Sequence, residues 1–141
     1  MIVLDANVVS EMMEVEPDAQ VSAWLDRADE SSLWLTAILI FEMKGGLDYM
    51  VEGRRRQRLI TAFNSILRMG FEDRVLPFDR EAAVAAGSIE AERKRRGRPI
   101  DIKDTLIAGI AVSRGAAIAT RNVRHFEDLP VEVIDPWAAA A

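Results

Sequence analysis

Three carboxylates in this chain stand where an apolar run has just ended or is about to begin: Asp5 after Met1-Ile2-Val3-Leu4, Glu42 after Ala37 to Phe41, and Asp104 before Leu106 to Val112. Apolar runs are core material, so each carboxylate is expected at the border of a core. A carboxylate in that position is costly unless something compensates it, and a bound divalent cation does so. Asn122 follows a further apolar run, Ala116 to Ala119, and would add an amide oxygen. A donor set made only of oxygen suits Mg²⁺, with Mn²⁺ as a second choice, because these ions retain water and bind phosphate oxygens. Without an ion, the same cluster repels itself, and at least one member tends to hold a proton.

Taken singly, each carboxylate has an ordinary explanation. Asp5 could cap the helix that follows it, Glu42 could pair with Lys44 on a helix surface, and Asp104 could favour a helix N-terminus through the macrodipole. Their joint placement beside apolar runs favours a metal site, since uncompensated carboxylates converging without purpose would cost stability.

The elements that must position these groups alternate between strand and helix. Ile2 to Leu4 reads as a buried strand, Asn7 to Met13 as a short helix, and Val21, Trp24, Leu25 and Ala28 mark the apolar stripe of a second. Leu33 to Leu35 is the next strand, Thr36 caps a helix running to about Met50, and Arg55 to Met69 carries Leu59, Ile60, Phe63, Ile66 and Leu67 at helical spacing. Arg74 to Phe78 reads as a third strand and Asp79 as the cap of a helix that Gly97 to Pro99 interrupts. Asp101 or Lys103 starts the helix that Gly115 stops, Ala116 to Ala119 is a fourth strand, and Val131 to Ile134 a fifth. This order predicts one α/β domain over residues 1–141, with a central, mostly parallel sheet covered by helices on both faces and a frayed tail at Ala138 to Ala141. Asp5, Glu42, Asp104 and Asn122 then meet at one edge of the sheet, where such folds gather their active sites.

At 141 residues and 50% hydrophobic composition, the chain is long enough for one real core. Its net charge of -5 hides an asymmetry: residues 1–52 hold eleven Asp or Glu against two Lys or Arg, and residues 53–141 hold twelve against sixteen. A basic half beside an acidic site can attract phosphate despite the acidic total. With no cysteine and a single histidine, disulfides, thiolate chemistry and ordinary structural zinc are excluded. The N-terminal run stops at Asp5 without a basic leader, and no stretch approaches the roughly 20 apolar residues of a membrane span, so a soluble, cytoplasmic chain is expected.

Four segments together resemble the PIN-domain endoribonucleases of the VapC type, in particular their FitB-like branch. They are Leu4-Asp5-Ala6-Asn7-Val8-Val9-Ser10-Glu11, Glu42-Met43-Lys44-Gly45-Gly46, Asp101 to Ala111 with Asp104-Thr105-Leu106-Ile107-Ala108, and Thr120-Arg121-Asn122-Val123-Arg124-His125-Phe126. The resemblance implies a PIN-like three-layer α/β/α fold and cleavage of RNA phosphodiester bonds. It implies Asp5, Glu42 and Asp104 as metal-binding carboxylates and Asn122 as the fourth catalytic position, where many relatives have aspartate. Asn7, Thr120, Arg121 and His125 fall at positions suited to holding substrate. Such proteins are toxins of toxin-antitoxin pairs, dimerise with themselves, and are silenced by a small antitoxin that occupies the acidic groove. The rival from another class is a doubly wound module in which an acidic pocket binds Mg²⁺ and Asp5 accepts a phosphoryl group.

Other features read more plainly. The basic runs Arg54-Arg55-Arg56 with Arg58, and Arg93-Lys94-Arg95-Arg96 with Arg98, are expected as solvated helix faces, with some of the second run lining an RNA path. Gly45 and Gly46 suggest close helix packing or a bend, and Trp24 and Trp34 are expected in the core.

Overall fold

A computed structural model describes residues 1–138 of the chain. Of the tail expected to fray, residues 139–141 therefore lie outside the described part, while Ala138 donates its backbone N–H to the Asp135 carbonyl at 3.1 Å. The described strands are β1 (Ile2–Leu4), β2 (Leu33–Thr36), β3 (Val75–Leu76), β4 (Ala117–Ala119) and β5 (Val133–Ile134). The described α-helices are α1 (Ala6–Met12), α2 (Ala19–Arg27), α3 (Ala37–Tyr49), α4 (Arg54–Met69), α5 (Arg80–Arg95) and α6 (Ile102–Arg114). Short 3-10 turns at Glu30–Ser32 and Val123–His125 escape the sequence reading, because three residues are too few to show a period. The third and fifth strands are also shorter than Arg74 to Phe78 and Val131 to Ile134 suggest.

Every described strand pairing is parallel, in the order β3-β2-β1-β4-β5. Alternation along the strands divides the core in two. Leu4, Leu33, Leu35 and Ala119 face one cluster with Val8, Leu39, Leu59 and Phe63, while Val3, Ile118 and Leu76 face another with Ile107, Ile110 and Phe126. Trp24 and Trp34 pack at the borders of the two clusters, half-buried, which is close to their expected core role. Helices α1 to α4 cover the first face and α5 and α6 the second, giving the three-layer α/β/α arrangement.

Local chemistry sets where helices begin. Thr36 accepts from the Leu39 N–H at 3.1 Å, Asp79 from Ala82 at 2.9 Å, and Asp101 from Lys103 at 2.8 Å, each satisfying a donor that a helix start leaves open. Asp101 is thus the cap of α6, and Asp104 lies inside its first turn. Gly115 ends α6 in the left-handed conformation at φ 62°.

The close helix approach expected at Gly45 and Gly46 lies elsewhere, since a Cβ at either position would have open space. It occurs at Gly109, where a Cβ would stand 2.5 Å from the Ala82 carbonyl oxygen and 2.6 Å from the Ala86 Cβ. Gly109→Ala must push α5 and α6 apart and is expected to cost about 2 kcal/mol. Urea unfolding checks this, and an unchanged midpoint would contradict the contact.

Candidate active site

Strand order reverses at β1: β2 and β3 build outward on one side of it, and β4 and β5 lie on the other. A parallel sheet opens a crevice at such a switch, outside the carboxyl ends of the two strands. Leu4 is in register with Ala119, so the next residues, Asp5 and Thr120, emerge side by side at that crevice. Asp5 is held there by its backbone N–H, which donates to the Ala119 carbonyl at 2.9 Å.

Asp5 is 4% exposed, and both of its carboxylate oxygens accept hydrogen bonds. Oδ1 accepts from the Ala6 N–H at 2.8 Å, capping α1, and Oδ2 accepts from the Thr120 hydroxyl at 2.8 Å and from Asn7 Nδ2 at 3.4 Å. The capping role and the site role therefore coincide in one residue. Thr120 Oγ1 in turn accepts from the Asn122 N–H at 2.9 Å, and Asn7 Oδ1 accepts from the Arg121 N–H at 3.3 Å. Asn7 and Thr120 thereby brace Asp5. Burial raises the pKa of Asp5 above its ordinary 3.8 and the Asp104 charge raises it further, against the opposing hydrogen bonds from Thr120 and Ala6.

Glu42 arrives from α3, and it does not pair with Lys44, whose ammonium binds Asp48 instead. Its Oε1 is buried with no hydrogen-bond partner. Burial is the main cause of a raised pKa at Glu42; Lys103 opposes the rise, and Asp5, Asp104 and Asp101 add to it. Asp104, from the first turn of α6, places Oδ2 2.7 Å from His125 Nδ1. A carboxylate oxygen can only accept, so Nδ1 carries the hydrogen of this contact. His125 is thus more than the ordinary partly packed neighbour of Phe126 that a lone histidine suggests.

These groups line one cavity of about 300 Å³, whose walls include Asp5, Asn7, Glu42, Asp104, Asn122 and His125. Lys103 and Asp101 line it as well. Both were missed as site residues by the sequence reading, although they flank Asp104 within the same motif. Arg121 lies outside this wall, stacked 5.2 Å over the Trp137 ring, and with Asn122, Arg124 and His125 it lines an adjoining cleft. A larger hollow of about 670 Å³ shares Ala6, Asn7, Glu42 and Lys103 with the acidic cavity and is otherwise mainly apolar, with Phe41, Met43, Leu47 and Met50. Gly45 and Gly46 open onto it.

Among the described residues, no three His, Asp or Glu side chains stand close enough to form a ready coordination shell. The carboxylates share a cavity rather than a point, with Asp104 turned to His125 and Asp5 to Thr120. Their chemistry nevertheless fits a hard divalent cation. The donors are oxygens, two of the acids are held above their ordinary pKa values, and the Glu42 Oε1 is a buried acceptor with nothing to accept.

A family model described as "PIN domain" matches residues 2–132 of the chain. The chain is 38% identical to "VapC ribonuclease Y4jK" of Sinorhizobium fredii, over 99% of its own length and 100% of that protein. It is 32% identical to "Toxin FitB" of Neisseria gonorrhoeae over 97% and 99% of the two lengths, and 34% identical to "tRNA(fMet)-specific endonuclease VapC" of Salmonella typhimurium over 76% of each. Among solved structures it is similar to a chain of FitAB bound to the IR36 DNA fragment, with a TM-score of 0.89 at 32% identity, covering 100% of this chain and 99% of that one. A chain of DNA-bound VapBC from Salmonella typhimurium gives a TM-score of 0.77 at 29% identity over 96% and 97%.

Proposed function

The chain belongs to the PIN domain family, and from that premise we propose that it is a divalent-metal-dependent endoribonuclease that serves as the toxin of a toxin-antitoxin pair. The observation that carries the reading is the partnerless buried Oε1 of Glu42, in a cavity that also holds Asp5 and Asp104. In this reading Asp5, Glu42 and Asp104 hold the cation, Mg²⁺ by the hardness of the donor set and Mn²⁺ as a substitute. When bound there, the cation activates water and neutralises charge on a phosphodiester.

The chain's own groups do the rest. Asn7 and Thr120 fix the Asp5 carboxylate, so that its position does not have to be organised during turnover. Lys103, between the acidic cavity and the apolar hollow, and Arg121 and Arg124, in the adjoining cleft, supply positive charge on either side for RNA phosphates. His125, held by Asp104 through Nδ1, stands in the wall shared by the acidic cavity and the adjoining cleft, where the substrate would pass.

The partner reading is a small cognate antitoxin that masks the acidic cavity, supported by the contiguous apolar hollow and by Phe41 at 70% exposure on its rim. A homodimer and a cytoplasmic location complete the reading. Among the described residues, no helix is long and apolar enough to cross a membrane.

Incubating the chain with a structured RNA under chelator, Mg²⁺ or Mn²⁺ tests the activity, and cleavage that persists in chelator would overturn the metal-dependent reading. Phosphoryl-donor labelling of Asp5 would favour the signalling alternative. Asn122→Asp adds a carboxylate to the cavity wall and is expected to tighten Mn²⁺ binding about tenfold, roughly 1.4 kcal/mol. Calorimetric titration reads this, and equal or weaker affinity counts against Asn122 as a contributor.

A further inference from the structure

Within the basic run at the end of α5, Arg93 is unlike its neighbours: it is 2% exposed, whereas Lys94, Arg95, Arg96 and Arg98 lie at the surface. The expectation that this run is a solvated face fails at this residue. The Arg93 side chain turns inward, where its guanidinium meets two separate pieces of chain, the segment 122–128 and the first turn of α6. Nε and Nη2 donate to the two Asp128 oxygens at 3.0 Å each, Nη1 donates to Thr105 Oγ1 at 2.9 Å, and Nη2 also donates to the His125 carbonyl at 2.6 Å.

Thr105 follows Asp104 in α6, and the side chain of His125 binds Asp104. Arg93 therefore grips the backbone and hydroxyl neighbours on both sides of the Asp104–His125 contact without touching that contact itself. Arg98 extends the grip from the surface, donating to the Arg124 carbonyl and to Glu127 at 2.9 Å each. Burying a charge pair is a poor route to stability, because an apolar pair of similar volume does as well or better. What a planar fork does supply is fixed geometry: its donors point in set directions, and a lysine cannot reproduce them.

We infer that Arg93 is a positioning residue for the acidic cavity, locking the segment 122–128 against the first turn of α6 and so setting where Asn122 and His125 stand relative to Asp104. This rests on the nuclease reading for its catalytic consequence, but the clamp itself is a property of the fold. Misplacement of reacting groups by about 1 Å costs up to about a hundredfold in rate, while substrate held by peripheral contacts stays bound.

The test compares the unmutated protein with Arg93→Lys, Thr105→Val and, as a destabilised control away from the site, Val21→Ala. In the metal-free, RNA-free proteins, amide hydrogen exchange should speed up over residues 122–128 in Arg93→Lys and remain unchanged in β1 and β2. With Mn²⁺ and RNA, kcat should fall at least about tenfold with KM within twofold, a split that general destabilisation does not produce. Unchanged exchange over 122–128, a loss carried by KM alone, or an equal kcat loss in a Val21→Ala protein of matched melting temperature would overturn the inference. Should Arg93→Lys fail to fold, Thr105→Val decides by the same measurements, since it leaves the ion pair with Asp128 in place. Should the unmutated protein cleave no RNA, the nuclease reading fails, and the exchange comparison alone still upholds or overturns the clamp.

Discussion

Asp5→Asn leaves a folded protein whose metal-dependent RNA cleavage is lower by about a thousandfold, the effect expected when several kcal/mol of metal-borne charge stabilisation is lost. The substitution keeps the size of the side chain and one carbonyl oxygen. Asparagine caps helices about as well as aspartate, so the Ala6 N–H that Asp5 now satisfies retains an acceptor and α1 keeps its start. What disappears is the charge at the centre of the crevice, together with the Oδ2 acceptor that Thr120 and Asn7 now use. Circular dichroism establishes folding and gel-resolved cleavage establishes the rate; full activity in a folded variant would remove Asp5 from the reaction.

The second large effect is on stability. Asp5 and Glu42 have folded pKa values above their ordinary 3.8 and 4.5 in the metal-free chain, so the folded state there binds more protons than the unfolded state. Their contribution is fully present below the ordinary values and is lost as pH rises through the raised ones, leaving the metal-free chain burdened at neutral pH. Asp128 works in the opposite sense. Its hydrogen bonds from Arg93 hold its pKa below 3.8, so its contribution is present above that value and lost as pH falls through the depressed one. Metal-free stability should therefore rise as pH is lowered from neutrality towards the ordinary carboxylate range, and fall again below it.

Divalent metal at a hundredfold its Kd should stabilise the neutral-pH protein by about 2.7 kcal/mol, or roughly 10 °C in Tm. Asp104→Asn keeps an acceptor for His125 but removes a charge that raises the pKa of both Asp5 and Glu42. Its metal-free Tm should equal or exceed that of the unmutated protein, and most of the metal response should vanish. Thermal unfolding of both proteins with chelator and with excess Mn²⁺ reads all four values. No metal response in the unmutated protein would leave the acidic cavity without its proposed occupant.

Much of this site was legible because its signals are local. An apolar run ending in a carboxylate marks the end of a buried strand, and that is how Asp5 is placed; Thr36, Asp79 and Gly115 announce helix boundaries through their own side-chain or backbone chemistry. The short strands were blurred at their edges, since two paired residues at Val75–Leu76 show no alternation to read. Lys103 escaped because a cation beside Asp104 looks like any surface charge until the cavity wall is seen. Arg93 was misread for a deeper reason: burial of one arginine in a basic run depends on a partner, Asp128, that lies 35 residues away. Gly109 was overlooked in favour of Gly45 and Gly46, because a glycine records the approach of another helix only when that helix is known.

The bond from Thr120 to Asp5 spans 115 positions of sequence, and it closes only after the sheet has accepted β4 beside β1. Synthesis proceeds from the N-terminus, so Asp5 and Glu42 leave the ribosome long before Asp104 and Thr120 exist. Pairings of such high contact order are among the slower events of folding. Under the proposed assignment of Asp104 to the metal site, a nascent, stalled or truncated chain that ends before residue 104 lacks the assembled acidic cavity, and activity is expected only with near-completion of translation. That interval gives any neutralising partner made alongside the chain time to be present before there is a nuclease to restrain.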